Sequence, residues 1–146
     1  MPANLKELKE EWCYDVEQLT KMTISPLNNH FILKDDKVLF GKSDEKNDEF
    51  DILLFACRDI EKVSLPSNIK IISSNAFNYC KKLTKVEIPP NSNLQTIEKN
   101  AFRFSAFRSI FIPSSVFKID EYTFYDCNGL LIIEISEDSK LESFPF

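Results

Sequence analysis

Apolar residues recur along the chain in units of about 23 residues. The units begin at Cys57, Cys80, Ser105 and Cys127, and each carries three apolar residues separated by three and then two positions. These triplets are Ile60, Val63 and Leu65; Leu83, Val86 and Ile88; Phe107, Ile110 and Ile112; and Leu130, Ile133 and Ile135. The last two members alternate with outward positions, which is the period of a strand with one buried face. The pattern therefore predicts one short strand in each unit.

The remainder of each unit predicts a return segment. Pro66, Pro89 and Pro113 follow three of the triplets and end the strand, since proline has no N–H for the ladder. A second apolar pair then points inward: Ile69 and Ile72, Leu94 and Ile97, or Val116 and Ile119. A short "NAF" or "YTF" segment, which we expect to form a helical turn, closes each unit through Phe77, Phe102 or Phe124. One unit cannot bury its own apolar edge, so neighbouring units must stack.

The first 56 residues depart from the regular period. Leu19, Met22 and Ile24 fit the triplet and predict an additional copy. The stretch "HFILKDDKVLFGK" has two apolar runs around Asp35 and Asp36 and predicts a β-hairpin. The following "SDEKNDEFD", residues 43–51, is an acidic loop.

The N-terminal stretch "NLKELKEEW" predicts a helix. Asn4 can cap its start with Glu7 three residues later, and Leu5, Leu8 and Trp12 share one helical face. Such a helix would cover the first repeat.

We expect one domain over residues 1–146. Its predicted parts are an N-terminal helical cap (1–15), a first repeat with hairpin and acidic-loop insertion (16–56), and three repeats with a truncated fourth (57–146). In the truncated copy, Phe144 matches Ile97 of the second unit. The strands should lie side by side in a parallel sheet, because a period of this length is typical of leucine-rich repeats.

The units "VSLPSNIKIISSNAFNYC", "VEIPPNSNLQTIEKNAFRFS" and "IFIPSSVFKIDEYTFYDC" resemble BspA-like leucine-rich repeats over residues 13–144. That family is named after a Bacteroides surface protein and is abundant in some anaerobic protozoan parasites. The hairpin with "FDILLFACRDIEKV" resembles an insertion of the protozoan members. The resemblance implies an α/β solenoid with a parallel β-sheet on its concave face and short helical turns behind. It also implies a surface antigen-like role in adhesion or protein interaction.

Composition excludes several kinds of protein. The net charge of -5 argues against non-specific nucleic-acid binding, which needs a positive field. Gly41 and Gly129 are the only glycines and lie far apart, so no phosphate-binding glycine loop is possible. The chain shows no signal peptide and no membrane span, which predicts a cytoplasmic protein without membrane insertion. The family resemblance implies the cell surface instead.

The four cysteines leave several kinds of chemistry to weigh. A catalytic thiol needs a base, and His30, beside the predicted hairpin, is the only histidine. Structural zinc needs close Cys and His pairs, which are absent, and the acidic loop lacks the ligand spacing of a calcium loop. Disulfides between stacked positions remain an alternative. We favour buried thiols that donate to a neighbouring carbonyl, because Ser105 replaces cysteine in the same position of its unit.

The outward strand positions form two predicted columns. They read Lys21, Lys62, Lys85, Ser109 and Ile132, and then Thr23, Ser64, Glu87, Phe111 and Glu134. Phe111 and Ile132, with Arg108 at the strand entry, have the composition of an interface hot spot. The competing explanation is that the C-terminal tail or a neighbouring copy covers them.

We therefore predict a non-catalytic module without metal or cofactor that binds a protein partner through the strand face. The predicted contact residues are Lys62, Lys85, Glu87, Arg108, Phe111, Ile132 and Glu134. The alternative is a structural subunit that forms a homo-oligomer or larger assembly through its exposed C-terminal repeat edge.

Overall fold

The computed structural model describes residues 1–145, which form ten β-strands and no helix. The strands are β1 (Phe31–Lys34), β2 (Val38–Gly41), β3 (Ile52–Ala56), β4 (Lys62–Ser64), β5 (Ile71–Ile72), β6 (Lys85–Glu87), β7 (Thr96–Ile97), β8 (Ser109–Ile112), β9 (Lys118–Ile119) and β10 (Ile132–Ile135). The prediction of a helix within residues 1–15 is wrong, as is that of helical turns in the "NAF" and "YTF" segments. Both regions consist of turns and irregular backbone.

One face of the coil carries the strand of each repeat. β4 pairs with β6 and β8 pairs with β10, both in parallel, and β6 packs beside β8. The register places Lys62 opposite Lys85, and Phe111 opposite Glu134. The prediction of stacked parallel strands is confirmed, and the four strands define a solenoid of about four turns. We call this side the strand face.

A second sheet runs along another side of the coil, where the sequence predicted only an inward apolar pair. Its order is β1-β2-β3-β5-β7-β9, and the strands from β3 to β9 are parallel. The antiparallel pair β1 and β2 is the predicted hairpin, and its turn residues Asp35 and Asp36 have φ of 52° and 54°. Two consecutive positive φ values are typical of the type I′ turn that matches strand twist. The hairpin thus extends this sheet at its N-terminal end.

The "NAF" and "YTF" segments form a third side, which we call the turn side. Each begins and ends with a residue of positive φ, namely Asn75 and Tyr79, Asn100 and Phe104, and Tyr122 and Asp126. Their amides donate to the next coil: Phe77 N to Ala101 O at 2.7 Å and Phe102 N to Thr123 O at 3.0 Å. The segments do not form helical turns because these N–H groups donate to carbonyls of the next coil rather than to a carbonyl four residues earlier in the same segment.

Four phenylalanines stack through the interior parallel to the solenoid axis. The ring centroids are 5.0 Å apart for Phe77 and Phe102, and 5.9 Å apart both for Phe102 and Phe124 and for Phe124 and Phe144. Phe144 therefore continues the series of "NAF" phenylalanines, and its alignment with Ile97 in the sequence was wrong. This stack packs into one continuous core with the inward residues of both sheets.

The N-terminal segment builds a smaller second core around Cys13, Met22, Phe31 and Phe55. Leu19 and Ile24 pack against this core, but residues 19–24 form no strand, so the predicted additional copy lacks its defining element. The segment is held by Arg58, which is 4% exposed and binds backbone carbonyls at Cys13 and Val16. A buried arginine thus replaces strand pairing at this end of the coil.

Candidate functional site

The strand face presents the predicted binding residues at its surface. Along β8, Ile110 and Ile112 are buried, whereas Ser109 is exposed and Phe111 is half-buried. The same alternation places Lys85 and Glu87 outward on β6. The outward columns read from the sequence are therefore aligned as expected from β4 to β6 and from β8 to β10.

The N-terminal half of this face is charged. Lys85 Nζ lies 2.5 Å from Glu87 Oε1 on the same strand, and Lys62 lies opposite Lys85. The hydrogen bond from Lys85 lowers the pKa of Glu87, with the Lys85 charge and Ser64 acting in the same direction. Glu87 is therefore ionised at neutral pH and forms an ion pair with Lys85.

The C-terminal half holds an open groove of about 430 Å³. It is lined by Val86, Glu87, Ile88, Pro90, Ser109, Ile110, Phe111, Ile132 and Glu134. Four predicted contact residues thus share one groove, whereas Lys62, Lys85 and Arg108 lie outside its lining. Arg108 is exposed just before β8, and its carbonyl accepts hydrogen bonds from the amides of Leu131 and Ile132 at 2.8 and 3.1 Å. It marks the entry to the strand but does not form the groove wall.

The described part of the C-terminal tail, up to residue 145, does not cover the groove. Ile132 is 60% exposed, while Leu141 and Phe144 pack against the end of the core. In residues 1–145, the groove is therefore open to a partner at its apolar residues.

The thiols are placed for packing. All four cysteines are buried and free. Cys127 Sγ donates to Phe102 O at 2.9 Å, and Ser105 Oγ donates to Phe77 O at 2.8 Å, so the serine occupies the same structural position. Burial raises the pKa of Cys80 to about 11, despite the nearby Arg58 charge. A thiol with this pKa is a poor nucleophile at neutral pH.

The predicted acidic loop divides into exposed and buried parts. Asp44 and Glu45 are exposed, but Asp51 is 1% exposed and accepts hydrogen bonds from Ser43 N at 2.8 Å and Ser43 Oγ at 2.5 Å. Lys70 Nζ lies 3.0 Å from its carboxylate. Asp51 is therefore a structural anchor rather than a loop charge. Residues 1–145 contain no cluster of three or more His, Cys, Asp or Glu side chains able to hold a metal ion.

The turn side carries an aromatic and basic pocket that the sequence reading missed. It has a volume of about 500 Å³ and is lined by Glu11, Tyr14, Lys99, Asn100, Arg103, Tyr122 and Tyr125. The sequence signal for this pocket was the pair of tyrosines in "EYTFYD", which cannot both be core residues if the segment turns at both ends. The turn-side pocket and the strand-face groove have no lining residue in common.

The described chain, residues 1–145, contains no apolar helix of membrane-spanning length.

Comparison with known proteins identifies the repeats. Residues 51–146 match the model of the BspA type leucine rich repeat region, in six copies. The chain therefore belongs to this family, and the resemblance read from its "IP" and "NAF" motifs is confirmed. No curated protein compared with the chain is significantly similar to it.

Two solved structures place the fold among bacterial leucine-rich-repeat proteins. A leucine-rich repeat protein from Eubacterium ventriosum has a TM-score of 0.84 at 23% identity and covers all of this chain. A leucine rich cell surface protein from Faecalibacterium prausnitzii has a TM-score of 0.51 at 31% identity over 59% of this chain. The chain spans 37% and 21% of the length of these two proteins, respectively. The first likeness shows the fold alone.

Proposed function

We propose that the chain is a non-catalytic protein-binding or adhesion module whose partner docks in the strand-face groove. The observation that carries this proposal is the exposure of Ile132 beside Phe111 on a face where strand alternation requires no apolar residue. Leucine-rich repeats are generally scaffolds for protein interaction, and their outward strand positions form a continuous binding surface.

The groove has the features of a small interface centre. Phe111 provides an aromatic wall and Ile132 an aliphatic one, while Glu87 and Glu134 form a charged rim. Apolar residues inside a polar rim are typical of hot spots that exclude water on binding. Lys62, Lys85 and Arg108 extend the rim along the strand face. The partner that fits best inserts one apolar side chain and presents polar groups around it.

The test replaces the groove residues with serine. Phe111→Ser with Ile132→Ser should abolish partner pull-down from the source cells without changing the molecular mass measured by light scattering. Leu131→Ser is the matched control, because Leu131 is 76% exposed next to Ile132 but lies outside the groove lining. Unchanged binding by the double variant, or equal loss in Leu131→Ser, would contradict the groove as the binding site. Circular dichroism identifies unfolding as a separate cause.

A structural role is the second candidate, because β10 is the last strand of its sheet in residues 1–145. Its residue Ile135 is exposed. An uncovered strand edge is a template for pairing with another chain. Under this alternative, light scattering should give a mass that increases with concentration, and Ile135→Lys should restore a monomer. A concentration-independent monomer would favour the binding role instead.

We further propose that the module acts at the cell surface rather than in the cytoplasm. The support is the family and the similarity to the Faecalibacterium protein described as a cell surface protein. Antibody labelling of intact cells should detect the protein before permeabilisation. Labelling only after permeabilisation would place it inside the cell.

A further inference from the structure

The turn-side pocket contains a tyrosine that the fold does not require. Tyr122 has φ of 58° and takes the position held by Asn75 and Asn100 in the preceding units. Asparagine tolerates this left-handed conformation well, whereas a bulky residue there is unfavourable. The two asparagines are 1% and 5% exposed, but Tyr122 is 51% exposed. Tyr122 therefore accepts backbone strain without contributing a buried ring to the core.

Arg103 lies at the centre of the aromatic residues. Its guanidinium carbon is 4.6 Å from the Phe104 ring centroid and 5.2 Å from that of Tyr125, and Nη1 is 3.5 Å from Tyr14 Oη. Lys99, in contrast, pairs with Glu121 at 2.9 Å. No carboxylate in residues 1–145 forms an ion pair with Arg103. The guanidinium is thus positioned by rings and retains donors for an external acceptor.

The N-terminal segment completes the pocket by placing Tyr14 against it. Asn78 Nδ2 donates to Tyr14 O at 3.1 Å, and Arg58 Nη2 donates to the adjacent Cys13 O at 3.5 Å. These buried contacts fix the backbone at Tyr14, so its exposed ring is presented by a rigid support. A site held by buried contacts is better preorganised for binding than one on a free loop.

We propose that this pocket is a second binding surface, which takes an acidic side chain of a protein partner. The partner carboxylate forms a two-pronged hydrogen bond with Arg103, the usual geometry of that pair. The rings of Tyr14, Tyr122 and Tyr125 contact the apolar residues beside it, and tyrosine with arginine is a typical hot-spot combination. Glu11 also lines the pocket, and its negative charge repels a dense polyanion such as a sulfated glycan or nucleic acid more strongly than a single carboxylate in a protein.

The probe is a set of short synthetic peptides with one glutamate between apolar residues, paired with the same peptides carrying glutamine. Glutamate peptides should shift the Arg103 Nε–H signal in NMR spectra of the full chain, and glutamine peptides should not. Arg103→Gln should weaken binding by roughly tenfold or more, the effect of losing a hot-spot residue. Arg108→Gln is the matched control, since Arg108 is an exposed arginine on the strand face.

A second variant separates binding from stability. Tyr122→Asn restores the residue that the backbone prefers, so it should weaken peptide binding while leaving the melting temperature equal or higher. Binding of the glutamate peptides to Tyr122→Asn with wild-type affinity would contradict the role of the Tyr122 ring.

Several outcomes would overturn the proposal. These are no binding by any peptide, equal binding of the glutamine set, equal loss in Arg103→Gln and Arg108→Gln, or binding only of an acidic oligosaccharide such as sialyllactose. Ile132→Ser leaves this pocket intact, so the two surfaces can fail independently.

Discussion

Arg58 is predicted to be the residue on which attachment of the N-terminal segment depends. Its Nε donates to Val16 O at 2.7 Å, and its two Nη groups donate to the carbonyls of Cys13, Ala56, Asn75 and Ala76 at 3.0 to 3.5 Å. The guanidinium also lies 4.2 Å from the Phe55 ring centroid. One side chain therefore joins the N-terminal segment to β3 and to the first turn segment.

The cost of Arg58→Met follows from which carbonyls lose their partner. Ala76 O still accepts from Ala56 N at 2.9 Å, and Asn75 O still accepts from Asn78 N at 3.1 Å. Val16 O has no other hydrogen bond in residues 1–145. Arg58→Met leaves one acceptor unsatisfied and removes several charge-assisted hydrogen bonds, but it also removes the cost of burying a cation. The net loss in the free energy of unfolding is about 2–4 kcal/mol. That is a large fraction of the usual stability of a domain, about 5–15 kcal/mol.

Urea denaturation measures the global effect of Arg58→Met, and hydrogen exchange measures where it acts. We expect faster exchange at residues 13–28, because the segment loses its tie to the coil before the repeats unfold. Arg58→Lys should recover only part of the loss, since an ammonium cannot span the same set of carbonyls. Arg108→Met is the control and should change stability by less than about 0.5 kcal/mol. Wild-type stability together with unchanged exchange in Arg58→Met would refute the reasoning.

Two further predictions concern buried polar groups. Cys80→Ser should lower the free energy of unfolding, measured by urea denaturation, by about 1–2 kcal/mol. It should leave partner binding intact, because Ser105 already fills the same position in the next unit. Loss of binding by a folded variant would reopen a chemical role for the thiol. Burial disfavours the ionised form of Asp51, but the hydrogen bonds from Ser43 and the interaction with Lys70 outweigh this effect and lower the pKa of the Asp51 carboxyl. Its stabilising effect is therefore present above the unfolded pKa of about 3.9 and is lost as pH falls through the lower folded value. Asp51→Asn should be less stable at neutral pH and have a flatter acid limb in melting temperature against pH, whereas an unchanged limb would argue against the effect.

The strand face was predictable because two periods agree there. The alternation of Val63 and Leu65 defines the buried face within one strand, and the spacing from Cys57 to Cys80 aligns that strand with the next. A register error would have turned the apolar set to solvent. The hairpin was predictable for a different reason, since two short apolar runs flank the turn residues Asp35 and Asp36.

The turn segments were mispredicted because local spacing does not say where an amide donates. In "NAFNYC", Phe77 and Cys80 are three residues apart and would share one side of a helical turn. The same spacing fits two successive turns whose N–H groups reach Ala101 and Arg103 in the next coil. Only the stacked neighbour distinguishes these outcomes, and it is remote in sequence.

The N-terminal segment shows a related limit. Leu5, Leu8 and Trp12 do pack into the second core, as apolar residues should, but without helical backbone. Arg58 was invisible as an anchor because arginine is rarely fully buried. Its carbonyl partners come from three separate regions of the chain, and no local pattern announces them.

The two proposed surfaces differ in what the fold demands of their residues. On the strand face, alternation fixes which side chains point outward but leaves their chemistry free, so an exposed Ile132 is informative only because polar residues would serve the fold equally well. On the turn side the backbone demands a residue that tolerates positive φ, so Tyr122 runs against a preference that Asn75 and Asn100 satisfy. In a repeat protein the equivalent position of a neighbouring unit is an internal reference for what the fold needs. A departure from it that adds no buried contact is therefore evidence of binding, and it is stronger at Tyr122, where it carries strain, than at Ile132, where it carries none.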